Sequence, residues 1–329
     1  MDDKAAGSIL CFGEVLLRLS APVGRRLINS SSLDVHVGGA EANVAAALGQ
    51  LGHDVEMLSV LPRSGLGDLC VGELRRVGVG TSKVRRSDGR MGVYFFEAAP
   101  GAGGVEYDRK QSVFAGNADQ FDWAALASET RWFHLSGINL ALGGKPADAA
   151  RAAADAMAAA GVPVSFDVNH RASLWEGRSD EGIVPLTAAA TTLFASPQDI
   201  SRILRTEFAN VASAAQAALE RFERLEVVAW TRRSNDGDRQ WLSASIVTRS
   251  ERHETEPAFL GQVIDRIGSG DAFAGAIIDG LLRGKGAAEC AKHGLAAAVM
   301  KHAIAGDRWI GTRAELEAFD PFGERDVRR

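Results

Sequence analysis

The amino-acid sequence predicts a three-layer α/β/α fold, in which helices cover both faces of a mostly parallel sheet. Short β-branched runs alternate with alanine-rich helical segments from Ser32 to the end of the chain, which is the order that parallel sheets require. The polar and glycine-rich segments tend to follow the strands. The hairpin-like stretch 91–109 has too few apolar positions to be buried on both faces, which indicates a smaller, partly exposed sheet beside the main one.

In the first half of the chain, hydrophobic periodicity marks a series of strands and helices. The apolar run at 8–12 is expected to be a central strand that continues past Gly13 through 14–19. Residues 32–37 alternate apolar and polar side chains, which is typical of a half-exposed strand. The other elements expected here are a helix at 44–51, a strand at 55–60, a helix at 68–77, and strands at 91–98 and 105–109 around a turn at 100–104.

The second half of the chain continues the alternation of strands and helices. Alanine-rich segments that end at glycine predict helices. The elements expected here are strands at 132–135, 162–166, 193–195, 227–230 and 241–247, and helices at 147–160, 208–222, 272–282 and 287–305. There is no internal repeat, low-complexity linker or second core in the sequence. We therefore expect a single domain over 1–329.

Composition and charge argue against several classes of protein. The formal net charge is −5, so no basic surface is available for nucleic acid. No uncharged apolar run approaches the roughly 20 residues of a membrane span. The three cysteines lie far apart and cannot all be paired, which suits a reducing compartment. The first four residues lack the basic segment of a signal peptide. We expect a soluble cytoplasmic protein.

The stretch 263–275 carries the strongest chemical signal. A β-branched run leads through Gly-Ser-Gly into an alanine-rich helical pattern. The free amides and the dipole of a helix start attract anions, and glycine allows a phosphate to approach the backbone. Asp271 stands at this helix start. The residues alone leave two interpretations open: a helix cap, or a base that takes a proton from a hydroxyl group attacking phosphorus.

Two other polar turns also follow strand-like runs, at 38–43 and at 167–171. Ligands of parallel sheets bind beyond the C-terminal ends of the strands. We therefore expect these two turns and 268–271 to converge on one rim of the sheet. The Gly-Gly pair of the first turn is equally compatible with an ordinary tight turn before a helix, and the residues alone leave that alternative open.

Three motifs together resemble those of the ribokinase-like (PfkB) carbohydrate kinases. The stretch 265–275 resembles the C-terminal signature of that family, 38–45 its N-terminal sugar-contact motif, and 167–171 its mid-chain Asp-x-Asn-x-Arg. The resemblance implies a ribokinase-like sandwich with a small β-sheet lid, here formed from about 14–37 and 90–112. It also implies ATP and Mg²⁺ as cofactors. In this family the aspartate of Gly-x-Gly-Asp is the catalytic base, and the preceding amides hold the transferring phosphoryl group. The catalytic residues so implied are Asp271, Gly268, Ser269 and Gly270.

Further stretches narrow the resemblance to the 2-keto-3-deoxygluconate kinases. Residues 92–97 and 107–110 resemble the lid hairpin of those enzymes, and 301–307 resembles a run common near their C-terminus. The resemblance implies a small-molecule sugar acid as substrate, phosphorylated at its terminal hydroxyl. The substrate-binding residues so implied are Gly38, Gly39, Asn43, Tyr94, Tyr107, Arg109, Arg171 and Asp271.

The residues themselves give weak support for an acidic substrate. The only two tyrosines of the chain, Tyr94 and Tyr107, both fall in the hairpin. Tyr107 and Arg109 are two positions apart on a strand, so they face the same side. A guanidinium group binds a carboxylate through two hydrogen bonds, and Arg171 would add a second such group. The alternative is that Arg109 and Arg171 are surface or ion-paired arginines.

The resemblance is less complete on the nucleotide side. Residues 196–199 stand where the family usually shows an Asn-Glu-Glu-like motif, so Asp199 is only a weak metal candidate. The turn 231–237 is basic and long where many relatives have a glycine-rich turn. The ATP-binding residues implied are Ser196, Thr231, Arg232, Gly268 and Gly270.

Three other functions compete with this one. A kinase of a neutral sugar such as fructose or ribose would carry many of the same motifs. A non-catalytic sugar-binding protein on the same fold is supported only by the departure at 196–199. A dinucleotide oxidoreductase needs Gly-x-Gly-x-x-Gly after its first strand, and residues 12–15 do not supply it. The exposed edge of the lid sheet also predicts a homo-oligomer.

Overall fold

The computed structural model of the protein describes residues 7–97, 104–175, 182–208 and 211–323. Its largest sheet has nine strands, which are β1 (Ser8–Phe12), β4 (Val55–Leu58), β9 (Thr130–Ser136), β10 (Val164–Asp167), β11 (Thr192–Phe194), β12 (Val227–Asp236), β13 (Arg239–Thr248), β14 (Arg252–Glu254) and β15 (Ala258–Phe259). Their spatial order is β14-β13-β12-β11-β10-β9-β1-β4, with β15 paired to β13. Pairing is parallel from β4 to β12 and antiparallel beyond.

A separate four-stranded sheet has the order β3-β2-β7-β8. Its strands are β2 (Leu16–Ser20), β3 (Asp34–Gly38), β7 (Val93–Glu97) and β8 (Gly104–Asp108). We call this the lid sheet. The outer strand β8 is mostly exposed, which confirms the small second sheet that the hairpin pattern predicted. A further pair, β5 (Val60–Pro62) and β6 (Arg85–Ser87), lies apart from both sheets.

Helices cover both faces of the large sheet. They are α1 (Ala40–Gln50), α2 (Gly65–Arg76), α3 (Val113–Asn117), α4 (Trp123–Ser128), α5 (Ile138–Leu142), α6 (Gly144–Ala159), α7 (Ala172–Trp175), α8 (Ile183–Ala189), α9 (Pro197–Leu204), α10 (Val211–Arg221), α11 (Ser269–Leu282), α12 (Ala287–His302) and α13 (Arg313–Ala318), with a 3-10 turn at Leu27–Asn29. Along β1, Ile9 and Cys11 join one hydrophobic cluster while Leu10 and Phe12 join another. The sheet is thus buried on both faces, which confirms the three-layer α/β/α prediction.

Small side chains bring α1 and α11 close together. A Cβ atom added at Gly275 of α11 would lie 2.7 Å from the Cβ atom of Ala47 on α1. Glycine at this position therefore permits a close approach of the two helices, and alanine would push them apart. This close packing matters for the site, because the first turns of α1 and α11 carry Asn43 and Asp271.

Three strand predictions need correction. The predicted strand through 8–19 is two strands, since the chain leaves the large sheet after β1 and enters the lid sheet as β2. β1 is also one strand from the edge rather than central. The predicted strand at 55–60 is likewise divided between β4 and β5. Local hydrophobic runs mark extended backbone, but they carry no information on which sheet receives each part.

The predicted long turn at 231–237 is wrong as well. β12 runs to Asp236 and pairs residue for residue with β13, so only the tip of this hairpin is a turn. The polar side chains of 232–236 are exposed, and such a run of exposed polar residues has the sequence pattern of a loop. The turn predicted between the lid strands, at 100–104, lies outside the described residues except for Gly104. In the described part of the chain, no helix has the length and apolarity to cross a bilayer.

Candidate active site

The helix α11 begins with a cradle of backbone amides. Gly268 precedes it in the left-handed region, at φ +81°. A Cβ atom there would lie 1.7 Å from the carbonyl oxygen of Asp307, so glycine is required on both conformational and steric grounds. Around Gly270, by contrast, an added Cβ atom would meet open space. The cradle therefore rests against protein at one end and opens to a ligand at the other.

Not all of the predicted cradle amides are equally available. The amide of Ser269 donates a 3.3 Å hydrogen bond to the carbonyl oxygen of Arg266. Within the described chain, the amides of Gly268, Gly270 and Asp271 donate to no protein acceptor. The free donors at this helix start are thus Gly268, Gly270 and Asp271, and helix starts of this kind bind anions.

Asp271 lies in the first turn of α11 and is 8% exposed. The residue that caps the helix is Gly268, so the interpretation of Asp271 as the helix cap is wrong. Its Oδ2 atom instead accepts a 2.7 Å hydrogen bond from Nδ2 of Asn43. Burial raises the pKa of Asp271 to about 7, against the opposing effects of the Asn43 hydrogen bond and of the charge of Arg171. A carboxyl group with this pKa can accept a proton near neutral pH.

The mid-chain motif reaches the same place. Asp167 ends β10, and the backbone amide of Asn169 donates to its carboxylate at 2.9 Å. Burial and the charge of Asp271 raise the pKa of Asp167 to about 8, while Arg171 lowers it. Arg171 is exposed and acts electrostatically on both carboxylates. The turns after β10 and before α11 therefore share one electrostatic site, and the exposed guanidinium group of Arg171 makes no ion pair with any residue that the structure describes.

The pKa of Asp271 leads to a pH prediction. We expect kcat/KM to rise with pH through about 7, because only the ionised carboxylate can accept a proton. Asn43→Ala removes a hydrogen bond that lowers this pKa, so the acidic limb should move to higher pH. The measurement is kcat/KM at saturating nucleotide from about pH 5.5 to about 9.

Asn117→Ala is the matched control, since the side-chain amide of Asn117 donates to a carbonyl oxygen within α3, at Val113. Its pH profile should coincide with that of the wild type. An acidic limb that stays in place in Asn43→Ala would show that Asp271 does not set it.

The Gly38-Gly39 pair is packed against protein rather than open to a ligand. A Cβ atom at Gly38 would lie 2.1 Å from Oδ2 of Asp307, and one at Gly39, where φ is +129°, would lie 2.2 Å from the carbonyl oxygen of Glu14. The pair lets the lid sheet run directly into α1. Asn43 follows within the first turn of α1, and its Oδ1 atom is buried without a partner in the described chain.

The lid residues are already engaged with other protein groups. The hydroxyl group of Tyr94 donates to Oδ2 of Asp307 at 2.6 Å, and the ring of Tyr94 lies 5.8 Å from that of Tyr107. Arg109 forms a buried ion pair with Glu14, with Nη2 2.6 Å from Oε2. Of the two interpretations of Arg109, a ligand for the substrate carboxylate or an ion-paired arginine, this structure shows the ion pair. The sequence missed Glu14, although Gly-Glu at the end of the first strand was a visible signal.

Glu14 adds a second unsatisfied acceptor to the site. Its Oε1 atom is buried and has no hydrogen-bond partner in the described chain, as is also true of Oδ1 of Asn43. Buried oxygens without donors are costly, typically by about 1–3 kcal/mol each. Each of these oxygens can accept a hydrogen bond from a hydroxyl donor.

On the nucleotide side, Ser196 and Asp199 cap α9. The hydroxyl group of Ser196 accepts from the Asp199 amide, and Oδ2 of Asp199 accepts from the Ser196 amide at 3.0 Å. Oδ1 of Asp199 is paired with Arg202 at 2.9 Å. Both carboxylate oxygens of Asp199 are thus bonded to protein, which leaves little capacity for a direct metal bond.

The residues present suit a hydrated Mg²⁺ better than a metal held in a protein cage. No three His, Cys, Asp or Glu side chains of the described residues are grouped to hold a metal. The charges of Asp271 and Asp199 both raise the pKa of Asp167, so negative charge accumulates at this rim. Mg²⁺ is usually held by one or two carboxylates, phosphate oxygens and water, and the pair Asp167 and Asp271 fits that pattern.

The strand β12 brings a basic run to the same end of the sheet. Arg232 pairs with Glu254 at 2.8 Å, whereas Thr231 is half-buried beside it. Arg233, which the sequence did not single out, donates to Oε1 of Gln240 at 3.0 Å and to Nε2 of His302 at 2.6 Å. Both acceptors are neutral groups, since Nδ1 of His302 donates to a backbone carbonyl oxygen. Among the described residues Arg233 is therefore oriented by neutral acceptors and makes no ion pair, so its positive charge can attract an anion.

Known proteins resemble this chain over almost its whole length. The family model described as "pfkB family carbohydrate kinase" matches residues 6–306. The 2-dehydro-3-deoxygalactonokinase of Haloferax volcanii is 30% identical over 325 residues, which cover 98% of this chain and 99% of that protein. The 2-dehydro-3-deoxygluconokinase of Bacillus subtilis is 26% identical over 320 residues, covering 94% of each.

A solved structure gives the same result for the fold. The crystal structure of 2-dehydro-3-deoxygluconokinase from Thermotoga maritima superposes with a TM-score of 0.88 at 33% identity, covering 94% of this chain and 98% of that one. The ribokinase-like fold predicted from the motifs is thereby confirmed. So is the prediction of a phosphotransferase that acts on a sugar hydroxyl group. The chain belongs to the PfkB family of carbohydrate kinases.

Proposed function

We propose that the protein transfers the γ-phosphoryl group of ATP to the terminal hydroxyl group of 2-keto-3-deoxygluconate. The observation that carries this proposal is the buried carboxylate of Asp271, which lies beside free amides at the start of α11. A base and an oxyanion cradle on one helical turn are the two parts that phosphoryl transfer to an alcohol requires.

In this mechanism Asp271 accepts the proton of the terminal hydroxyl group as its oxygen attacks the γ-phosphorus, and ADP leaves. Asn43 holds the carboxylate through the 2.7 Å hydrogen bond to Oδ2, which leaves Oδ1 for the hydroxyl group. The amides of Gly268, Gly270 and Asp271 stabilise the negative charge on the transferring group. Because these donors are fixed by the helix, little reorganisation is needed during the reaction.

An acidic sugar suits the cations at the mouth of the site. Arg171 is exposed and makes no ion pair among the described residues, so we assign it the sugar carboxylate. Arg109 uses Nε and Nη2 on Glu14, which leaves Nη1 for the same ligand. Tyr107 lies beside Arg109, with the guanidinium carbon 5.7 Å from its ring centroid. We assign sugar hydroxyl groups to the unsatisfied oxygens of Asn43 and Glu14.

Gly38, Gly39 and Tyr94 would act on the sugar indirectly. The two glycines set the entry into α1, and Tyr94 fixes the lid sheet to Asp307 through its hydroxyl group. The oxygen of that hydroxyl group still has lone pairs for a ligand donor.

We assign the triphosphate to the free amides of α11 together with Thr231, Arg232 and Arg233, with Ser196 at the start of α9. Mg²⁺ would supply charge neutralisation on the nucleotide oxygens. Asp167 and Asp271 would hold it through water, in preference to Asp199, whose carboxylate oxygens are already bonded to protein.

The 4-epimer, 2-keto-3-deoxygalactonate, is the second candidate substrate. It is favoured by the Haloferax volcanii relative, which is named for that sugar and matches over the full length. The two acids differ at one hydroxyl group, so the assignments to Arg171 and Asp271 hold for both. A neutral sugar such as fructose or ribose would leave Arg171 without a partner.

Three broader features complete the proposal. We infer a single domain that works in the cytoplasm, and a homo-oligomer that pairs through the lid sheet. Its outer strands, β3 and β8, carry the exposed apolar residues Val35 (52% exposed) and Val105 (39%). Sheet edges with apolar side chains are common sites of association.

The test of the proposed function is a coupled ADP-release assay with 2-keto-3-deoxygluconate, 2-keto-3-deoxygalactonate, fructose and ribose. Arg171→Gln should raise KM for the sugar acids by roughly tenfold or more, the size of one lost charge-assisted contact. KM for the neutral sugars should change little. The assay is run above about pH 8, so that the loss of Arg171 does not alter the ionisation of Asp271.

Arg171 is the better target than Arg109 here. Arg109→Ala would leave the carboxylate of Glu14 buried without a partner and lower stability as well. Arg151→Gln is the matched control, since Arg151 is an exposed arginine whose one ion pair among the described residues is with Asp148 on the same helix. Equal loss of activity toward acidic and neutral sugars in Arg171→Gln would contradict an acidic substrate.

A further inference from the structure

Lys301 is a fully buried lysine that the proposed mechanism does not use. It lies in the last turn of α12 and is 0% exposed. Its ammonium group donates to the carbonyl oxygen of Ile304 at 2.9 Å and to that of Asp265 at 3.3 Å. Ile304 belongs to the loop after α12, which we call the C-terminal loop (303–308). Asp265 belongs to the loop that leads into the cradle, which we call the cradle loop (264–268).

These two loops meet at the cradle. The carbonyl oxygen of Asp307, in the C-terminal loop, touches Gly268 where a Cβ atom would otherwise stand. The carboxylate of Asp265 accepts hydrogen bonds from the amides of Ile267 and Gly306, each at 3.0 Å. The ammonium group of Lys301 thus closes a set of contacts that holds the two loops against one another directly behind Gly268.

The same region contains buried charges that Lys301 balances. Arg18 of the lid sheet lies 2.6 Å from Asp265 and 3.1 Å from Asp307. With Lys301 protonated, two cations face these two carboxylates. Desolvation lowers the pKa of Lys301, while the charges of Asp265 and Asp307 raise it. Among the described residues, Arg18 is the one other cation that pairs with these two buried carboxylates. Without the ammonium group, the two carboxylates and the nearby Asp271 would therefore leave an excess of buried negative charge, which is strongly unfavourable.

The carbonyl groups at the end of a helix also favour a cation. The C-terminus of α12 carries the negative end of the helix dipole, and Lys301 lies in its last turn. An ammonium group offers three N–H donors from one compact charge, so it can hold carbonyl oxygens from different segments at once.

We infer that Lys301 is a positioning residue of the phosphoryl-transfer site: its ammonium group is a built-in cation that fixes the cradle loop and the C-terminal loop so that the amides of Gly268 and Gly270 face the transferring group. The inference rests on the proposed phosphoryl transfer. It does not depend on which sugar is the acceptor.

The test compares Lys301→Met and Lys301→Ala with the wild type, using whichever acceptor the wild type phosphorylates fastest. Methionine keeps the packing of the apolar stem and removes only the charge, so the variant isolates the role of the ammonium group, and its folded fraction is measured by thermal unfolding. Its kcat should fall by roughly tenfold or more, with KM for the sugar within about threefold, because the cradle acts mainly on the transition state. Lys292→Met on the exposed part of the same helix is the matched control and should keep the wild-type kcat.

Chemical rescue, with kcat expressed per folded enzyme, supplies a readout that a purely structural role would not move. Lys301→Ala vacates the volume of a propylammonium ion, so adding propylammonium should raise its kcat by roughly tenfold. The ion should not affect the wild type or Lys301→Met, in which the space is filled. Tetramethylammonium, which has a charge but no N–H donor, should not rescue.

Two outcomes would overturn the inference. One is a folded Lys301→Met variant whose kcat stays within about threefold of the wild type. The other is a loss of activity that matches the loss of folded protein in both variants, with no recovery on adding propylammonium. That result would assign Lys301 to fold stability alone. An unexpected acceptor sugar in the wild type would change the proposed substrate and leave this comparison intact.

Discussion

Asp271→Asn is expected to lower kcat by roughly 10²–10⁴-fold, the range found when a general base is removed. Asparagine has nearly the shape of aspartate, and its side-chain oxygen can still accept the hydrogen bond from Asn43. It cannot accept the proton of the sugar hydroxyl group. The loss should therefore appear in kcat, while KM for both substrates changes much less. Steady-state kinetics with the best acceptor measures both constants.

The stability of the same variant should not fall. The folded-state pKa of Asp271 is raised to about 7, so its carboxyl group favours the folded state at low pH and loses that contribution as pH rises through about 7. Above that pH the wild type buries a charge that asparagine lacks. The Tm of Asp271→Asn at about pH 8 should thus equal or exceed that of the wild type, because burial of an ionised carboxylate is unfavourable.

Asp68→Asn is the control for this experiment. Asp68 also lies in the first turn of a helix, α2, but its side chain is 72% exposed and pairs with Arg86 on the surface. Its kcat should match the wild type. A fully active Asp271→Asn enzyme, or one that loses activity only through unfolding, would remove Asp271 from the role of base.

Gly268→Ala is expected to impair both stability and catalysis. Alanine at φ +81° is strained, and its Cβ atom would collide with the backbone carbonyl oxygen of Asp307 at 1.7 Å. Backbone atoms cannot move aside without shifting the C-terminal loop. We expect a loss of about 1–3 kcal/mol in the free energy of unfolding, and a fall in kcat of roughly 10²-fold as one cradle donor is displaced.

Gly270→Ala provides the contrasting case. It lies two residues further on, has a helical backbone, and its Cβ atom would meet open space. Its Tm should not fall, while its activity should drop if that open space receives the phosphoryl group. Gly72→Ala, at an equally open helical glycine in α2, should leave both Tm and kcat unaffected. Thermal unfolding and steady-state kinetics of the three variants separate the two effects. Equal losses of Tm in Gly268→Ala and Gly270→Ala would contradict the conclusion that the cradle rests against protein at Gly268 and is open at Gly270.

The amide cradle and the carboxylate at the start of α11 could be predicted from the sequence, because they depend only on residues close together in the chain. Gly-Ser-Gly-Asp before an alanine-rich run specifies a left-handed glycine, free amides and a carboxylate within one turn, whatever the rest of the chain does. The alternation of strands and helices is local in the same sense, and it predicted the three layers and the separate lid sheet. The division of 8–19 between two sheets could not be predicted, because a hydrophobic run does not indicate which strand it pairs with.

Local sequence patterns could not predict which groups the charged side chains pair with. The sequence indicated Arg109 as a ligand for a carboxylate, and the fold supplies a carboxylate from Glu14, 95 positions away. Lys301 lies in a stretch whose only signal was its resemblance to relatives, and its importance follows from the carbonyl oxygen of Asp265, which lies 36 positions away in the sequence.

The sequence by itself thus determined the fold class and the helix start at 268–271, since both depend on neighbours in the chain, and its resemblance to the carbohydrate kinases indicated the type of reaction. Only the tertiary structure decided that Asn43 bonds to Asp271, that Arg109 pairs with Glu14, and that Arg18 and Lys301 both bond to Asp265. The physical reason is that burial disfavours the charged form of a side chain, so a buried charge needs a partner, and burial of this kind arises where distant segments pack together.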